Sequence, residues 1–183
     1  FRIISYFCQL INSDYFNKMF FSATSHIELG ENFTKREAVL KEAFELYKLE
    51  YYAGCLTLLY GQLEGILTDY LVYKSAIVKS GTVYKYCGEK INYMNDKNQE
   101  QTINKNKNIT GIYDKIIIAK DINEYFDKLD AYRLDSEHKI NNDRNDILHG
   151  NILDRFTRER CFIVIIWLMS ILKFLYFEKN IKL

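Results

Sequence analysis

The sequence predicts an all-α fold, a bundle of four main helices with an N-terminal element and a polar loop insertion. Apolar residues recur at helical spacing over residues 34–50 and again in the stretch that begins at residue 51, a pattern typical of amphipathic helices. A third stretch, 161–177, is apolar on nearly every side, as expected of a buried helix. Because 48% of the 183 residues are hydrophobic, we expect one core and a single domain over residues 1–183.

Residues 1–33 are predicted to form an N-terminal helix or packing arm. The segment Arg2–Ile11 is apolar after one charge, which is a feature of signal peptides. However, Ser5 and Gln9 interrupt the run, and no cleavage site of small residues follows. The chain begins at Phe1 rather than at methionine, as a fragment or a trimmed product would.

The first helix of the bundle is predicted to begin at Thr34 and to run to about Glu50. Thr34 and Glu37 have the spacing of a capping box, in which the hydroxyl and the carboxylate each accept a hydrogen bond from a backbone N–H at the helix start. The lysines and glutamates of this stretch fall on the side opposite the apolar residues, so we expect that side to face water.

A longer second helix is predicted to follow a turn or kink near Gly54 and to end near Gly81. Gly61 and Gly65 lie in its interior, where each glycine costs about 1 kcal/mol relative to alanine. Close approach by another part of the chain, the motif described below, would offset that cost. Glu64, between the two glycines, is either a solvated or N–H-bonded helix glutamate or a residue that orients functional side chains.

Residues 82–110 are predicted to be a loop or insertion. The run from Asn92 to Asn108 is rich in asparagine, lysine and glutamine, and it has too few apolar side chains to order itself. A short strand or extended clasp is expected at Val83–Tyr86. The lysines of the loop either contact phosphates or are solvated surface residues. These lysines are Lys97, Lys105 and Lys107.

Helical spacing returns from Tyr113 or Asp121 and continues to Asp143, in a pattern that allows a break around Ser136. The stretch 161–177 is then the last helix. The apolar surface of this helix is broader than one four-helix core requires, so its second face offers a surface on which a second copy of the chain can pack. A membrane span needs about 20 apolar residues, and Lys173 interrupts this stretch earlier, so a core helix is favoured over a membrane anchor.

Chemically active groups are most concentrated in residues 144–150, which read RNDILHG. They combine a permanent cation, Arg144, with a group that titrates near neutrality, His149, and a glycine that stops helices, Gly150. Five helical steps of about 100° place the arginine and the histidine roughly 140° apart. An uninterrupted helix therefore cannot aim both side chains at one ligand, and we expect the helix to bend or end here.

Gly150 is the expected stop, because glycine adopts the left-handed conformation that ends a helix at little cost. Asn151 or Asp154 can then cap a following helix. Inside the last turn, Asn145 and His149 are i,i+4 neighbours, so the Asn145 side chain is predicted to contact the imidazole while the arginine reaches in from the flank.

The motif resembles the R-x4-6-H signature of the HEPN superfamily (higher eukaryotes and prokaryotes nucleotide-binding), and it is similar letter for letter to the variant R-N-x-I-L-H-G. A second stretch, Tyr51–Leu71, looks like the core helix that carries Gln-x-Glu-Gly in bacterial relatives of that group. This resemblance implies an HEPN-like helical bundle that acts as a ribonuclease, toxin or defence domain. It also implies that Glu64, Asn145 and Asp146 support the catalytic pair Arg144 and His149.

Arg144 and His149 suit the cleavage of RNA through its own 2′-hydroxyl group. Histidine, with an unperturbed pKa of about 6.5, can act as base or acid. The guanidinium supplies a fork of donors to the phosphoryl oxygens and keeps its charge. One histidine cannot easily perform both proton transfers. A homodimer that brings two such pairs into one cleft would solve this, and the family resemblance implies that arrangement.

The overall charge limits how nucleic acid can be bound. With 25 basic and 24 acidic residues, the chain cannot coat RNA through bulk charge, so a local patch is needed. Arg155 and Arg158 are predicted to line the RNA cleft together with Arg160, unless they form surface ion pairs with nearby carboxylates.

Neither a metal nor a cofactor is expected. The chain has no nucleotide-binding glycine loop and no paired-histidine metal helix. The four cysteines, Cys8, Cys55, Cys87 and Cys161, are far apart and form no C-x-x-C pair. Such cysteines are typical of reduced thiols in a cytoplasmic protein.

Two other classes stay open. In the first, the chain is a non-catalytic HEPN module that binds a nucleotide, RNA or a partner protein of a toxin–antitoxin or defence system, and Arg144 and His149 only stabilise the corner. In the second, the resemblance is accidental and the chain is a helical assembly or membrane-associated protein.

Overall fold

The computed structural model describes residues 31–95, 97–133 and 135–180, together with residues 11, 13, 14, 18, 20 and 21. Most of the predicted N-terminal arm or helix over 1–33 lies outside the described residues. Of its described part, Ile11 and Phe20 have buried side chains. The Phe20 ring packs edge-on against Phe44, with the ring centroids 5.0 Å apart, so this part contributes to the core.

From residue 31 onward, the described residues form five α-helices, two short 3-10 turns and five β-strands. The helices are α1 (Glu31–Lys48), α2 (Tyr52–Tyr73), α3 (Ile112–Ile122), α4 (Glu137–Leu148) and α5 (Arg158–Asn180). The strands are β1 (Ile77–Ser80), β2 (Val83–Tyr86), β3 (Ile91–Met94), β4 (Glu100–Ile103) and β5 (Asn108–Ile109), and the 3-10 turns are Phe126–Lys128 and Asp130–Arg133.

The strands make the fold mixed α/β, so the all-α prediction is wrong. Strands β1, β2 and β5 form a three-stranded antiparallel sheet with β2 in the centre. Strands β3 and β4 form a separate antiparallel hairpin. The short strand expected at Val83–Tyr86 is confirmed as β2 with the same bounds.

Among the described residues, the polar run from Asn92 to Asn108 contributes to strands β3, β4 and β5, so the prediction that it stays irregular is wrong. Ile91 lies directly opposite Ile103 in the β3–β4 ladder, and both side chains are buried in the core. On the same face the Tyr93 ring meets Tyr113 of α3, with the centroids 5.7 Å apart. Few apolar residues suffice here because α3 supplies the surface on which they pack.

Helix α2 ends at Tyr73, earlier than the predicted end near Gly81. The N–H of Ala76 donates to the Leu71 carbonyl at 2.9 Å and closes the helix, and Ser75 has a left-handed φ of 57°. The chain then enters β1 at Ile77. Ile77 and Val78 are β-branched, and all four residues of β1 pair with β2, so strand pairing overrides a weakly helical pattern here.

Helix α1 begins at Glu31, so Thr34 lies within the helix and the predicted capping box is wrong. Glu37 instead forms an i,i+4 ion pair with Lys41, with 2.7 Å between Oε1 and Nζ. The helix ends at Lys48, close to the predicted end.

The break that the pattern allowed at Ser136 is present. Helix α3 and the two 3-10 turns precede it, and α4 follows it. The Ser136 hydroxyl accepts a hydrogen bond from the Lys139 N–H at 3.2 Å, which satisfies an amide at the start of α4.

Helix α2 is the centre of the core, and it packs against α1, α3 and α5. One face of it is buried from Cys55 to Leu71. The prediction that 161–177 is a buried helix is confirmed for its described side chains up to residue 176, because α5 places most of them, including Trp167, in the core. Despite this apolar character, neither α5 nor any other helix in the described part of the chain meets the length and hydropathy needed to cross a membrane.

Candidate functional site

The motif 144–150 occupies the end of α4 and the turn that follows. Gly150 has a φ of 70°, and its N–H donates to the Ile147 carbonyl at 3.2 Å. The Asn151 N–H donates to the Asp146 carbonyl at 2.8 Å. These two bonds satisfy carbonyls that the helix end leaves open, and they confirm that the helix stops at Gly150.

The next helix begins later than the motif suggested. Helix α5 starts at Arg158, and the Thr157 hydroxyl accepts a hydrogen bond from the Arg160 N–H at 3.1 Å. The prediction that Asn151 or Asp154 caps it is therefore wrong. An exposed connection of several residues separates α4 from α5 and places the corner at the surface.

Arg144 is held by two acceptors. Its Nη2 lies 2.6 Å from Oε2 of Glu64, and its Nη1 donates to Oδ1 of Asn145 at 2.8 Å. The side chain is 20% exposed, whereas Nε is buried and has no acceptor among the described residues. The guanidinium is therefore fixed in direction, and one N–H on each terminal nitrogen is still available to a ligand.

Glu64 bridges two cations. Its second oxygen, Oε1, accepts from Nζ of Lys115 at 2.7 Å, and the lysine side chain is only 6% exposed. The three groups Arg144, Glu64 and Lys115 together carry one net positive charge. Of the two interpretations of Glu64, the structure therefore favours the one in which it orients a functional side chain, Arg144. It makes no contact with His149.

Lys115 was not identified from the sequence. It follows Ile112, Tyr113 and Asp114 and precedes three isoleucines, so its one detectable signal was a charge directly before an apolar run. A buried lysine requires a partner, but the partner is 51 positions away along the chain. Spacing arguments do not reach that far.

His149 stands apart from the Arg144 cluster. It is the C-cap residue of α4, and its side chain is exposed and forms no hydrogen bond or ion pair with the described residues. The predicted contact between Asn145 and the imidazole is not formed, and the Asn145 side-chain oxygen instead accepts a hydrogen bond from Arg144. Asn145 is linked to His149 through the backbone, where its carbonyl accepts the His149 N–H at 3.0 Å.

A second ionic cluster lies beside the first and is more deeply buried. Arg160 contacts Asp135 at 2.6 Å through Nη1 and Asp143 at 3.0 Å through Nε, and all three residues are at most 5% exposed. The Arg160 Nε also donates to the hydroxyl of Tyr60 at 2.9 Å. Burial raises the pKa of Tyr60 to about 12, although the Arg160 charge opposes that shift.

The two clusters fix α4 from adjacent residues. Asp143 joins the Arg160 cluster while Arg144 joins the Glu64 cluster. On α2, Tyr60 and Glu64 are one turn apart and therefore lie on the same face. The start of the motif is consequently held against both α2 and α5, while its other end, at His149, is exposed.

The predicted RNA-binding arginines differ in their surroundings. Arg155 forms an ion pair with Asp143, and this pair ties the connection after Gly150 back to α4. The Arg158 side chain is 37% exposed and lies 4.0 Å from Glu159 on the same helix. Arg160 is buried in the second cluster and cannot line a cleft. Asp146 is half-buried, and its part in the structure is the backbone bond to Asn151.

The motif corner does not approach the glycines beside Glu64. A Cβ at Gly61 would have nothing within 4 Å, so the predicted close approach there is wrong. A Cβ at Gly65 would lie 2.1 Å from Nη1 of Arg36. Gly65 thus leaves room for the Arg36 guanidinium of α1, which pairs with Asp69 at 2.8 Å.

No family model, curated protein or solved structure matches the chain. The site is therefore interpreted from its own geometry. Within the described ranges, no group of three or more His, Cys, Asp or Glu side chains is placed to hold a metal ion. The corner does provide an oriented cation with two available N–H donors and, at the end of the same helix, an accessible imidazole.

Proposed function

We propose that this protein is an endoribonuclease that cleaves RNA without a metal ion, by attack of the substrate's own 2′-hydroxyl on the adjacent phosphate. The observation that carries the proposal is that one helix end bears both a fixed guanidinium, Arg144, and a separate, solvent-accessible imidazole, His149. The letter-for-letter similarity of the motif to the HEPN variant supports the same chemistry.

Arg144 stabilises the charge that develops on the phosphorane. Its position is set before the substrate arrives, because Glu64 and Asn145 hold it. Preorganised donors of this kind cost little reorganisation when the reaction occurs. Lys115 offsets the charge of Glu64, so the cluster keeps a net positive charge that attracts a phosphate.

His149 performs a proton transfer, either from the 2′-hydroxyl or to the leaving 5′-oxygen. The two transfers occur on opposite sides of the phosphorus, and one imidazole does not serve both. A homodimer with the two corners in one cleft supplies the second imidazole. The exposed side chains of Leu148 and Leu153, which are 37% and 72% accessible, flank the histidine and provide apolar surface for that contact.

This chemistry fits a cytoplasmic protein whose activity a toxin–antitoxin or defence partner restrains. The described cysteines, Cys55, Cys87 and Cys161, are free thiols. Reduced thiols are the usual state in that compartment.

A second candidate function is a non-catalytic module that binds RNA, a nucleotide or a partner protein. It is favoured by the use of both terminal nitrogens of Arg144 within the protein itself. In that case Arg144 stabilises the corner and His149 is a surface residue. Binding without cleavage would distinguish this function from the first.

The proposal is tested by product chemistry. Purified protein is incubated with RNA in EDTA, and the new ends are identified. We expect 2′,3′-cyclic phosphates and 5′-hydroxyls, no cleavage at a position that carries a single 2′-deoxy substitution, and no cleavage by Arg144→Ala. Asn145→Ala should be less affected than Arg144→Ala, since its hydrogen bond is worth about 1 kcal/mol net. Products with 3′-hydroxyl ends, or activity that EDTA abolishes, would contradict the mechanism.

A further inference from the structure

The strand region, residues 77–109, has a larger net positive charge than the whole of this nearly neutral chain. It contains six lysines against three carboxylates, whereas the whole chain has 25 basic and 24 acidic residues. Its excess of three positive charges therefore exceeds the net charge of +1 of the chain, and the rest of the molecule is slightly acidic. The lysines are Lys79, Lys85, Lys90, Lys97, Lys105 and Lys107.

Two of these lysines line an open groove at the base of the β3–β4 hairpin. The groove has a volume of about 570 Å³, and its walls are Cys87–Lys90 and Asn104–Lys105. Ile91 and Ile103 pair directly across the hairpin, so the residues just outside that pair are brought together. Lys90 and Lys105 are exposed, and neither forms an ion pair with a described residue.

The groove has one carboxylate, Glu89, against its two ammonium groups, so its walls are net positive. Asn104 adds an amide that both donates and accepts hydrogen bonds. Lysine is a flexible point charge that binds phosphate without a fixed geometry. Such a lining suits a phosphodiester backbone more than a particular base.

Hydrogen bonds hold the backbone around the groove. The Asn106 N–H donates to the Tyr86 carbonyl at 2.8 Å, and the Tyr86 N–H donates to the Lys107 carbonyl at 3.0 Å. At the far end of the hairpin, the Asn95 side chain accepts the N–H groups of Lys97 and Gln99, each at 2.9 Å.

Three consecutive residues of α3 connect the strand region to the Arg144 cluster. The Tyr113 ring packs on Tyr93 of β3, and Asp114 pairs with Lys107 at 3.1 Å. The next residue, Lys115, is the one that pairs with Glu64 beside Arg144. The first turn of α3 therefore contacts both the strand region that carries the groove and the Arg144 cluster.

We infer that this groove, here named the hairpin groove, binds the phosphate backbone of single-stranded nucleic acid. Within the proposed function, on which this step rests, it holds nucleotides that flank the scissile phosphate. Binding depends on charge and not on the 2′-hydroxyl, so it does not require cleavage.

The test separates binding from catalysis by using a fluorescent single-stranded RNA of mixed sequence with every 2′-hydroxyl methylated, which removes the nucleophile. Anisotropy is measured over a series of salt concentrations. We expect Lys90→Gln/Lys105→Gln to bind on the order of tenfold more weakly at low salt. The slope of log K against log salt should be shallower by about 1.4, because two phosphate contacts with single strands are lost.

Two variants serve as controls. Lys35→Gln removes an exposed lysine of α1 and should bind as the wild type does, and Lys90→Arg/Lys105→Arg should retain binding because it keeps both charges. Unchanged affinity in the double glutamine variant, an equal loss in Lys35→Gln, or no binding by the wild type would overturn the inference. A wild type that binds this probe through the groove and yet leaves ordinary RNA intact would instead remove the nuclease proposal and keep the groove.

Discussion

Glu64 shows how one carboxylate can set a functional side chain. Its two oxygens serve Arg144 and Lys115, and its side chain is 15% exposed. Removing one partner of such a pair costs more than the pair contributes, because the remaining charge loses its acceptor while still shielded from water.

We therefore expect Glu64→Gln to lower the free energy of unfolding by about 1–3 kcal/mol. The isosteric amide leaves Lys115 buried without a counter-charge. Denaturant titration measures the change, and Glu42→Gln, at an exposed position of α1, is the matched control. Equal stability of Glu64→Gln and the wild type would show that the ion pairs contribute nothing.

Gly61 and Gly65 allow a second test, because the same substitution meets different surroundings. Gly61→Ala should raise stability by about 1 kcal/mol, since a helix interior favours alanine and the space is open. Gly65→Ala should lack that gain, because the new methyl group displaces Arg36 from Asp69. In an Arg36→Ala background the two substitutions should become equally favourable, as a double-mutant cycle would reveal. An equal gain for both in the unaltered protein would contradict this account.

At this scale the sequence predicted what is local. Gly150 was identified as the helix stop because its conformation depends on its own missing Cβ, and the structure confirms it. Glu64 was identified as a candidate site residue. Whether it is a solvated helix glutamate or an orienting residue depended on its contact with Arg144 of α4, 80 positions away. Lys115 was missed because a lysine in an apolar stretch indicates burial without naming its partner.

Among the elements, α4 is the one whose placement matters most for the site. Asp143 and Arg144 tie consecutive positions of the helix to α5 and α2. Because Arg160 is buried between Asp135, Asp143 and Tyr60, the junction of these elements is polar and specific in geometry. Arg155 also pairs with the Asp143 carboxylate, and this ion pair restrains the connection that follows the motif.

The Tyr60 hydroxyl makes the stability of this junction depend on pH in the alkaline range. Its pKa is raised to about 12 from the ordinary value of 10.0, so the folded protein keeps the proton at a pH where the unfolded chain loses it. The contribution is complete below pH 10 and is lost as the pH rises toward 12, at up to about 1.4 kcal/mol per pH unit. Tyr60→Phe should flatten part of this decline in urea unfolding, whereas Tyr51→Phe, at a 64% exposed position, should not. The same pH dependence in Tyr60→Phe and the wild type would contradict the assignment.

Periodic apolar elements were predicted better than sparse ones. The buried last helix and the strand Val83–Tyr86 were expected, because the helix is apolar over most of its length and three of the four strand residues are valine or tyrosine. The β3–β4 hairpin was missed because its buried isoleucines, Ile91 and Ile103, are separated by polar residues. Their burial depends on α3, which the local pattern does not contain.

The proposed cleavage reaction requires two copies of the chain, because its two proton transfers need two imidazoles. The exposed His149 and the apolar Leu148 and Leu153 lie at one corner. If two corners form one site, a catalytically inactive protomer should lower the activity of the wild-type protomer with which it pairs.

Excess His149→Ala protein added to a fixed amount of wild type should therefore lower RNA cleavage below that of the wild type alone, in proportion to the mixed dimers formed. The reason is that a mixed dimer has one imidazole for two proton transfers. Light scattering verifies the dimer. Unchanged cleavage at a large excess of the variant would show that each protomer acts by itself.

Two histidine substitutions, in α4 and at its cap, test whether His149 moves a proton during RNA cleavage. RNA cleavage in EDTA is followed for the wild type, His149→Ala and His138→Ala, with circular dichroism verifying that all three are folded. We expect His149→Ala to lose at least about 10²-fold in rate, whereas His138→Ala cleaves as the wild type does. A folded His149→Ala protein that cleaves at the wild-type rate, or a wild type that leaves a broad panel of RNAs intact, would contradict this expectation.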